Sequence, residues 1–507
     1  MAIHLASVNG LTVDMHTMKA KIYLPYQIFV GESPSGKASA FGADTRRFES
    51  CLPSQKWRHM EISALILAAG AGVRMKSKTP KVLHQILGRP MISYVLDCVR
   101  SLGIEKIGVV VGVGAKEVME ELGDSYSYIP QPSQLGTGDA VIKARTTFEG
   151  QSGYLFVLCG DTPLLRPATL KSMIDLAEAE KPSCVMLTAK VPDPTGYGRI
   201  IRDNWGAIKD IVEERDAKPE EKMIAEVNAG VYLFKMEDLW PALDKITPDN
   251  DQKEYYLTDV IEILYQQEKT NVSVRSTDLD EYRGINNRWQ LAEITGNLLI
   301  KRLKDLAMSG VTIIDPGSTY IETSVEIAPD VIIYPQTYLA GKMSIGEGCE
   351  IGPFVFLNGK KDGITIGDNV KVGPFVRMRP LVEVEDGATI GCFIDLKKSK
   401  IGKGSKVPHL TYLGDCEVGE KTNIGAGTIT CNYDGTNKSK TKIGKGVFIG
   451  SDTMLVAPVE IGDGAYTGAG SVITKNVPED SLAIERSPMV IKEGWAKKKK
   501  EQNGEGK

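Results

Sequence analysis

At 507 residues the chain is too long for one hydrophobic core and should divide into two or three domains. With 42% hydrophobic and 25% charged residues and a net charge of only -4, its composition is that of an ordinary soluble globular protein, with no sign of a nucleic-acid or polyanion partner. Eight cysteines occur without a CxxC pair or metal-like spacing and no apolar stretch is long enough to span a bilayer, so redox, zinc and membrane classes are disfavoured and a cytoplasmic protein with reduced thiols is expected.

Residues 1–59 differ from the rest. They lack apolar periodicity, and the Gly, Ser, Pro and charged residues around Gly31 to Arg47 look like loop or disorder. No continuous apolar centre of a secretory signal is found. Met60 stands just before the first convincing strand, so the leader reads as the product of an upstream start. The alternative is a targeting peptide, with Arg46 and Arg47 as its support.

The strand-like run Ile62 to Leu67 stops at Ala68-Ala69-Gly70-Ala71-Gly72-Val73-Arg74-Met75. A strand feeding a glycine-rich turn can present backbone N–H groups to phosphate, because no side chain blocks the anion. Arg74 and Lys81 lie just beyond and could neutralise a triphosphate. The stretch is neither a Walker loop nor a clean GxGxxG, which weakens kinase and dehydrogenase readings, and taken alone it could be a plain turn.

Strands and helices alternate from there to residue 285, among them Ile107 to Val111, Tyr154 to Leu158 and a helix over Leu170 to Glu180. The alternation predicts a mostly parallel sheet wound with helices, with its ligand site at the carboxyl ends of the strands. Cys159-Gly160-Asp161 follows one strand, so Asp161 falls at that edge, where a carboxylate could hold magnesium or cap the next helix. Gln134 to Gly138 is a second glycine turn, and Asn228 and Asn286 follow strand-like runs that could reach the same cleft.

Leu291, Ile294, Leu298, Leu303 and Leu306 are spaced as one helix from Asn286 to about Ser309, ended by Gly310. As a semi-rigid spacer it would leave the flanking domains to work as separate sites. Beyond it an aliphatic residue recurs every sixth position: Ile327, Ile333, Leu339, Ile345, Ile351 and Leu357, then Ile366, Val372, Met378, Val384, Ile390 and Leu396, then Ile443, Ile449, Leu455, Ile461 and Ile473, with Thr467 in the remaining slot. A period of six fits neither a helix nor a single strand. It predicts short strands joined by turns, a hexapeptide β-helix, rather than a sandwich with irregular strand spacing. Glycine follows many of these aliphatics, which suits tight corners.

The phase is lost between Leu396 and Ile401, between Leu413 and Val418, and between Ile424 and Ile443, where Cys431 to Lys442 must loop out. Loops on a rigid scaffold are where sites are built, and this region holds Lys397, His409, Tyr412, Asn423, Asn432 and Tyr433. His409 is the only histidine of the repeat domain; a lone histidine is structural more often than catalytic, but this one sits amid polar aromatic and amide groups.

The motifs LILAAGAGVRM, PKVLH, QLGTGDA, GDTPLL, PTGYGRI, EVNAG and GINNRWQL, followed by HLTYLGD and NIGAGTITCNYDG, resemble the bacterial GlmU family of bifunctional N-acetylglucosamine-1-phosphate uridylyltransferases and glucosamine-1-phosphate acetyltransferases. The match runs from about Ile62 to the C-terminal tail. It implies an α/β fold overall: a Rossmann-like nucleotidyltransferase domain at 60–285, a linker helix at 286–310, a left-handed hexapeptide β-helix at 311–486 and a tail at 487–507. It also implies a homotrimer with acetyltransferase sites at subunit interfaces, and synthesis of UDP-N-acetylglucosamine for peptidoglycan and lipopolysaccharide.

By the same resemblance, Leu67, Ala68, Ala69, Gly70, Gln131, Gly136 and Thr137 receive the uridine nucleotide, and Gly198, Glu213 and Asn228 the N-acetylglucosamine part. Asp161 and Asn286 hold magnesium, while Arg74 and Lys81 stabilise charge as N-acetylglucosamine 1-phosphate displaces pyrophosphate from UTP. In the β-helix His409 is the implied general base on the amine of glucosamine 1-phosphate, which then attacks acetyl-CoA. Arg379 and Lys397 hold the sugar phosphate, Tyr412, Asn423, Asn432 and Tyr433 line the sugar site, and Ala426, Ser451, Ala469 and Arg486 contact the coenzyme. The chain departs from the family at Cys392 and Asp395, where Asn and Glu are usual, which puts sugar affinity and the poise of the base in doubt.

Two other readings compete. One is a sugar nucleotidyltransferase with a purely regulatory β-helix, as in ADP-glucose pyrophosphorylase. The other is a non-enzymatic scaffold, like subunits of the translation-initiation nucleotide exchange factor. The intact set of His409, Tyr412 and Asn432 argues against the first, and Lys81, Asp161 and the nucleotide glycines against the second.

Overall fold

The computed structural model describes residues 60–278 and 280–502. The leader 1–59, with its two readings, and the last five tail residues lie outside the described residues.

The run Ile62–Leu67, apolar but for the buried Ser63, whose hydroxyl donates to Gln151, is a central strand, hydrogen-bonded in parallel to Ile107–Val111 on one side and Tyr154–Cys159 on the other. Along the sheet the order is Asn271–Ser276, Cys184–Lys190, Glu226–Lys235, Tyr154–Cys159, Ile62–Leu67, Ile107–Val111 and Ser127–Pro130. Of these only Glu226–Lys235 runs antiparallel to its neighbours. Ala64 and Ile66 enter one apolar core with the helices Met91–Arg100 and Pro167–Glu180, whereas Leu65 enters a second core with Thr137–Phe148 and Asp259–Gln266. Side chains alternate across a strand, so a strand covered on both faces needs an apolar residue at every position.

The helix Arg288–Met308 starts under an Asn287 cap, whose side chain accepts a hydrogen bond from Gln290 N at 2.9 Å. Ile294 packs with Met75, Ile86, Leu87 and Met91 of the α/β domain. Leu303 and Leu306 enter the β-helix core. The helix is therefore a packed member of both domains, which corrects the expectation of a bare spacer.

From Thr312 onward the chain builds one parallel ladder in which, outside the two long strands at 389–401 and 406–418, a strand pairs with the third strand on, so three short strands make a coil. Val325 pairs with Met343, eighteen residues later, and Ile364 with Val382. The aliphatics on the six-residue beat point inward and are buried throughout, apart from Ile327, which is partly covered near the first coils. Burying each such side chain stabilises the fold by about 1.5–3 kcal/mol relative to exposure. Thr467 is buried in its slot because its hydroxyl accepts from Gly450 N at 2.9 Å and lies 3.2 Å from the Thr453 hydroxyl.

Of the glycines after the aliphatics, Gly352 and Gly373 take positive φ (111° and 124°), but Gly346, Gly367, Gly402, Gly444 and Gly462 do not. Gly402 has no positive φ; a Cβ there would lie 2.6 Å from the Gly419 carbonyl carbon of the coil beneath. Close approach of stacked coils, rather than a turn, excludes a side chain. The first two phase breaks are also not loops. They lie inside two continuous strands, Thr389–Ile401 and Lys406–Val418, each kinked at a left-handed residue, Lys398 (φ 48°) and Asp415 (φ 48°), with Ser399 and Cys416 turned into the core. Only the third is a loop, between the strands Ile429–Cys431 and Thr441–Ile443. Among the described residues no helix is long and apolar enough to cross a membrane.

Candidate active sites

The glycine-rich turn after Ile62–Leu67 opens a cleft of about 330 Å³ at the carboxyl edge of the sheet. Leu67, Ala68, Ala69, Gly70, Lys81, Gln131, Gly136, Thr137 and Asp161 all line it. Gln131 is buried and spans the cleft wall, donating through Nε2 to Gly136 O at 3.0 Å and Asp139 Oδ2 at 2.9 Å. Gly136 adopts φ 109° against the Tyr255 backbone, where a Cβ would lie 2.4 Å from the carbonyl oxygen.

Four predicted side chains converge at the cleft mouth. The Lys81 ammonium pairs with the Asp161 carboxylate and donates to Asn286 Oδ1 at 2.9 Å, and Arg74 donates to the same Oδ1 at 2.8 Å. The Asp161 carbonyl accepts from Ile285 N, which ties the strand edge to the segment entering the linker helix. Asp161 therefore does not cap the following helix, whose N-cap is Arg166.

Gly198, Glu213 and Asn228 form a separate cluster where the hairpin Arg199–Arg202/Ile208–Val212 meets Glu226–Lys235. Asn228 N donates to Gly198 O at 2.9 Å, and a Cβ on Gly198 would stand 3.5 Å from Glu213 Oε2. Burial holds the Glu213 carboxyl above the usual range, opposed by a hydrogen bond from Thr258 at 3.2 Å. The cluster adjoins the cleft through Gly230, whose nitrogen donates to Asn228 Oδ1 and whose carbonyl lies 3.9 Å from the sulfur of the cleft-lining Cys159.

In the β-helix the two long strands run side by side and pair Cys392 with His409 and Asp395 with Tyr412. His409 is exposed, with Nδ1 3.2 Å from Cys392 Sγ. Asp395 accepts from Nε and Nη2 of Arg379, at 3.0 and 3.1 Å, and that guanidinium also lies 5.7 Å from the Tyr412 ring centre. Lys397 faces Lys438, whose charge, followed by burial and by Arg379, holds its ammonium below the ordinary lysine range. Three cations brought together in this way make an anion site. Asn432 is buried and donates to Asp415 Oδ2 at 2.6 Å, while Tyr433 is exposed and hydrogen-bonds Gly435 O within its own loop. Asn423 lies in register with Lys406 and Phe448 and shows no side-chain bond to the His409 group.

A column descends from His409 along one corner of the β-helix. Gly427 N donates to Leu410 O at 3.1 Å, Asp452 N to Ala426 O at 2.7 Å and Gly470 N to Ser451 O at 2.7 Å, so Ala426, Ser451 and Ala469 follow one another coil by coil. The Arg486 side chain lies against Gly470 at the foot. Above His409 the same corner carries Phe354, Phe375 and Phe393, stacked at 4.9 Å, and then Leu410. All four are 45–60% exposed.

The nucleotidyl transferase family model matches residues 63–289, and the bacterial transferase hexapeptide (six repeats) model matches residues 440–475. A crystal structure of UDP-glucose pyrophosphorylase complexed with UDP-glucose is matched over its full length and 48% of this chain, but at 20% identity and a TM-score of 0.39 it bears on nothing further. The "Bifunctional protein GlmU" of Listeria monocytogenes is 41% identical over 447 residues, covering 86% of this chain and 98% of that protein. That of Heliobacterium modesticaldum is 48% identical over 449 residues, with the same two coverages. The chain belongs to the GlmU family.

Three residues at these GlmU-family sites are absent from the sequence-based set. Gln134 and Glu254 line the sheet-edge cleft, and Lys438 faces Lys397. Gln134 belongs to the glycine turn already singled out, and its Nε2 donates to Ala69 O at 2.8 Å. Glu254 and Lys438 lie in irregular segments, where no periodic pattern marks them.

Proposed function

We propose that the protein makes UDP-N-acetylglucosamine in two steps: acetyl transfer from acetyl-CoA to glucosamine 1-phosphate in the β-helix, then uridylyl transfer from UTP to N-acetylglucosamine 1-phosphate in the α/β cleft. The observation that carries the reading is the presence of two separate clusters in one chain of this family: Arg74, Lys81, Asp161 and Asn286 at the cleft, and His409 among Arg379, Asp395, Lys397 and Tyr412 on the β-helix.

In the first step the cationic group of Arg379, Lys397 and Lys438 holds the sugar phosphate, with Tyr412, Asn423, Asn432 and Tyr433 around the sugar. His409 takes a proton from the amine, which attacks the thioester carbonyl, and the coenzyme leaves as its thiol. The coenzyme follows the column of Ala426, Ser451, Ala469 and Arg486, which runs coil by coil from His409 down one corner of the β-helix.

In the second step Leu67, Ala68, Ala69, Gly70, Gln131, Gly136 and Thr137 receive UTP, and Gly198, Glu213 and Asn228 the acetylated sugar. A phosphate oxygen of the sugar attacks the α-phosphorus of UTP and pyrophosphate leaves, with Arg74 and Lys81 offsetting the charge on the phosphates. Asp161, which lines the cleft, and Asn286 beside it carry hard oxygens of the kind magnesium takes, engaged here by Lys81 and Arg74; the ion would take over these oxygens and add positive charge against the triphosphate.

The assembly is read as a homotrimer. The Phe354, Phe375, Phe393 and Leu410 stripe is a contiguous apolar corner that a second copy would cover, and it ends beside His409, so that copy would also close the acetyl-transfer site. Its place is read as the cytoplasm, supported by its acetyl-CoA and UTP co-substrates and by the seven described cysteines, all unpaired.

The test is one pot of protein, glucosamine 1-phosphate, acetyl-CoA, UTP and magnesium, run beside His409→Ala and Asp161→Ala. Thiol release should be lost only in the first variant, and pyrophosphate release from added N-acetylglucosamine 1-phosphate only in the second. Pyrophosphate release without thiol release in the unmodified protein would instead make the β-helix structural.

A further inference from the structure

Lys81 is held from two directions, and both supports end on the β-helix. Four residues after Lys81 the chain begins the small hairpin Gln85–Ile86/Arg89–Pro90. The segment between is closed on itself: His84 N donates to Lys81 O, and Met91 N to His84 O. At the hairpin tip Leu87 is buried in a left-handed conformation (φ 47°), and Gly88 follows at φ 80°.

The tip rests on the first coil of the β-helix. Leu87 O accepts two hydrogen bonds from Thr323, from the backbone N at 3.2 Å and from Oγ1 at 3.1 Å. The Glu322 carboxylate fills the space over Gly88, where a Cβ would lie 2.5 Å from Oε2. Oε2 is itself held by Gly341 N at 2.7 Å, on the next coil. The second support is the linker helix. Asn286, just before it, receives Lys81 and Arg74; Arg288 Nε donates to Met75 O beneath the arginine turn; and Arg302 donates to Val325 O of the β-helix at 2.6 Å.

We propose that Thr323 and Glu322, in the β-helix, are positioning residues of the uridylyltransferase site, fixing Lys81 through the Leu87–Gly88 tip. The proposal rests on the reading of Lys81 given above. A phosphate-binding ammonium acts through its placement, and a displacement of about 1 Å in such a group can cost on the order of a hundredfold in rate. Losing two contacts at the tip should shift it by less. The first coil is then shared between the domains, while the acetyl-transfer residues lie farther along the β-helix.

The test is a double-mutant cycle in the full-length protein. The Glu322→Ala/Thr323→Val variant should lower the kcat of pyrophosphate release about tenfold, leave the KM for UTP within about twofold, and leave thiol release unchanged. Thr323→Ser should behave as the parent, because it keeps the hydroxyl. In a Lys81→Ala background the same double substitution should cause no further loss, since its effect passes through Lys81. A full-rate double variant, or an additive loss in the Lys81→Ala background, would overturn the proposal. A Lys81→Ala variant with undiminished turnover would overturn the reading of Lys81 itself, a distinct outcome.

Discussion

The Cys392 sulfur stands 3.2 Å from Nδ1 of His409, held there by the register that pairs these two residues on adjacent long strands. When Nδ1–H donates to the sulfur, Nε2 keeps the lone pair that a general base needs. Cys392→Val, similar in size but without a polar atom, should therefore lower the kcat of acetyl transfer about tenfold, whereas Cys392→Ser should restore most of it. His409→Ala should cost about 10²–10⁴-fold. The check is thiol release across pH 6 to 9, with uridylyl transfer unchanged in all three variants. A Cys392→Val profile superimposable on the parent would show that the sulfur is a bystander.

The same contact predicts selective chemical inactivation. Cys392 and Cys431 are partly open to solvent and Cys392 touches His409, whereas burial pushes the thiols of Cys98, Cys159 and Cys416 up to about 12. Iodoacetamide at pH 8 should abolish thiol release and spare pyrophosphate release. The Cys392→Ser protein should resist. Equal inactivation of the serine variant would place the sensitive thiol elsewhere.

Arg379 donates to both carboxylate oxygens of Asp395 through Nε and Nη2 and is only 26% exposed. Lysine keeps the charge but not the planar fork, so Arg379→Lys should raise the KM for glucosamine 1-phosphate about tenfold with a smaller change in kcat. Steady-state kinetics in both substrates decide it. A raised KM for acetyl-CoA alone would move Arg379 to the coenzyme side.

The six-residue beat was legible because in-and-out alternation is locked to coil geometry. Ile390, Leu396 and Ile449 are read directly from spacing, and all are fully buried. What lay hidden is whatever depends on how coils stack. Gly402 was legible as a glycine position but not for its cause, since the atom it must avoid, the Gly419 carbonyl carbon, belongs to the coil beneath. The contact of Cys392 with His409 needs the register of two long strands across a phase slip, and a period count cannot supply it. Lys438 meets Lys397 only because its loop folds back, with Tyr433 bridged to Lys438. At the sheet-edge cleft the glycine turns mark their own neighbourhood, so Lys81 and Asp161 are found, while Glu254 arrives from a distant irregular segment without local signal.

Asp259 gives a stability prediction with a defined sign. Its carboxyl is pushed up to about 7, chiefly by burial and then by the charges of Asp210, Glu213, Glu262 and Asp216. In the unfolded chain it titrates near 3.8. Between these values the folded protein holds a proton that the unfolded chain has released, so stability falls as pH rises from about 4 to about 7 and is level above that. Asp259→Asn removes the charge and should stabilise the protein at pH 8 and only about a third as much at pH 5. Because the side chain is partly open to solvent, screening reduces the gain to about 1 kcal/mol, or roughly 2 °C in Tm. Thermal unfolding of parent and variant at the two pH values measures it. An equal shift at pH 5 and pH 8 would mean that the substitution acts through packing and not through the proton.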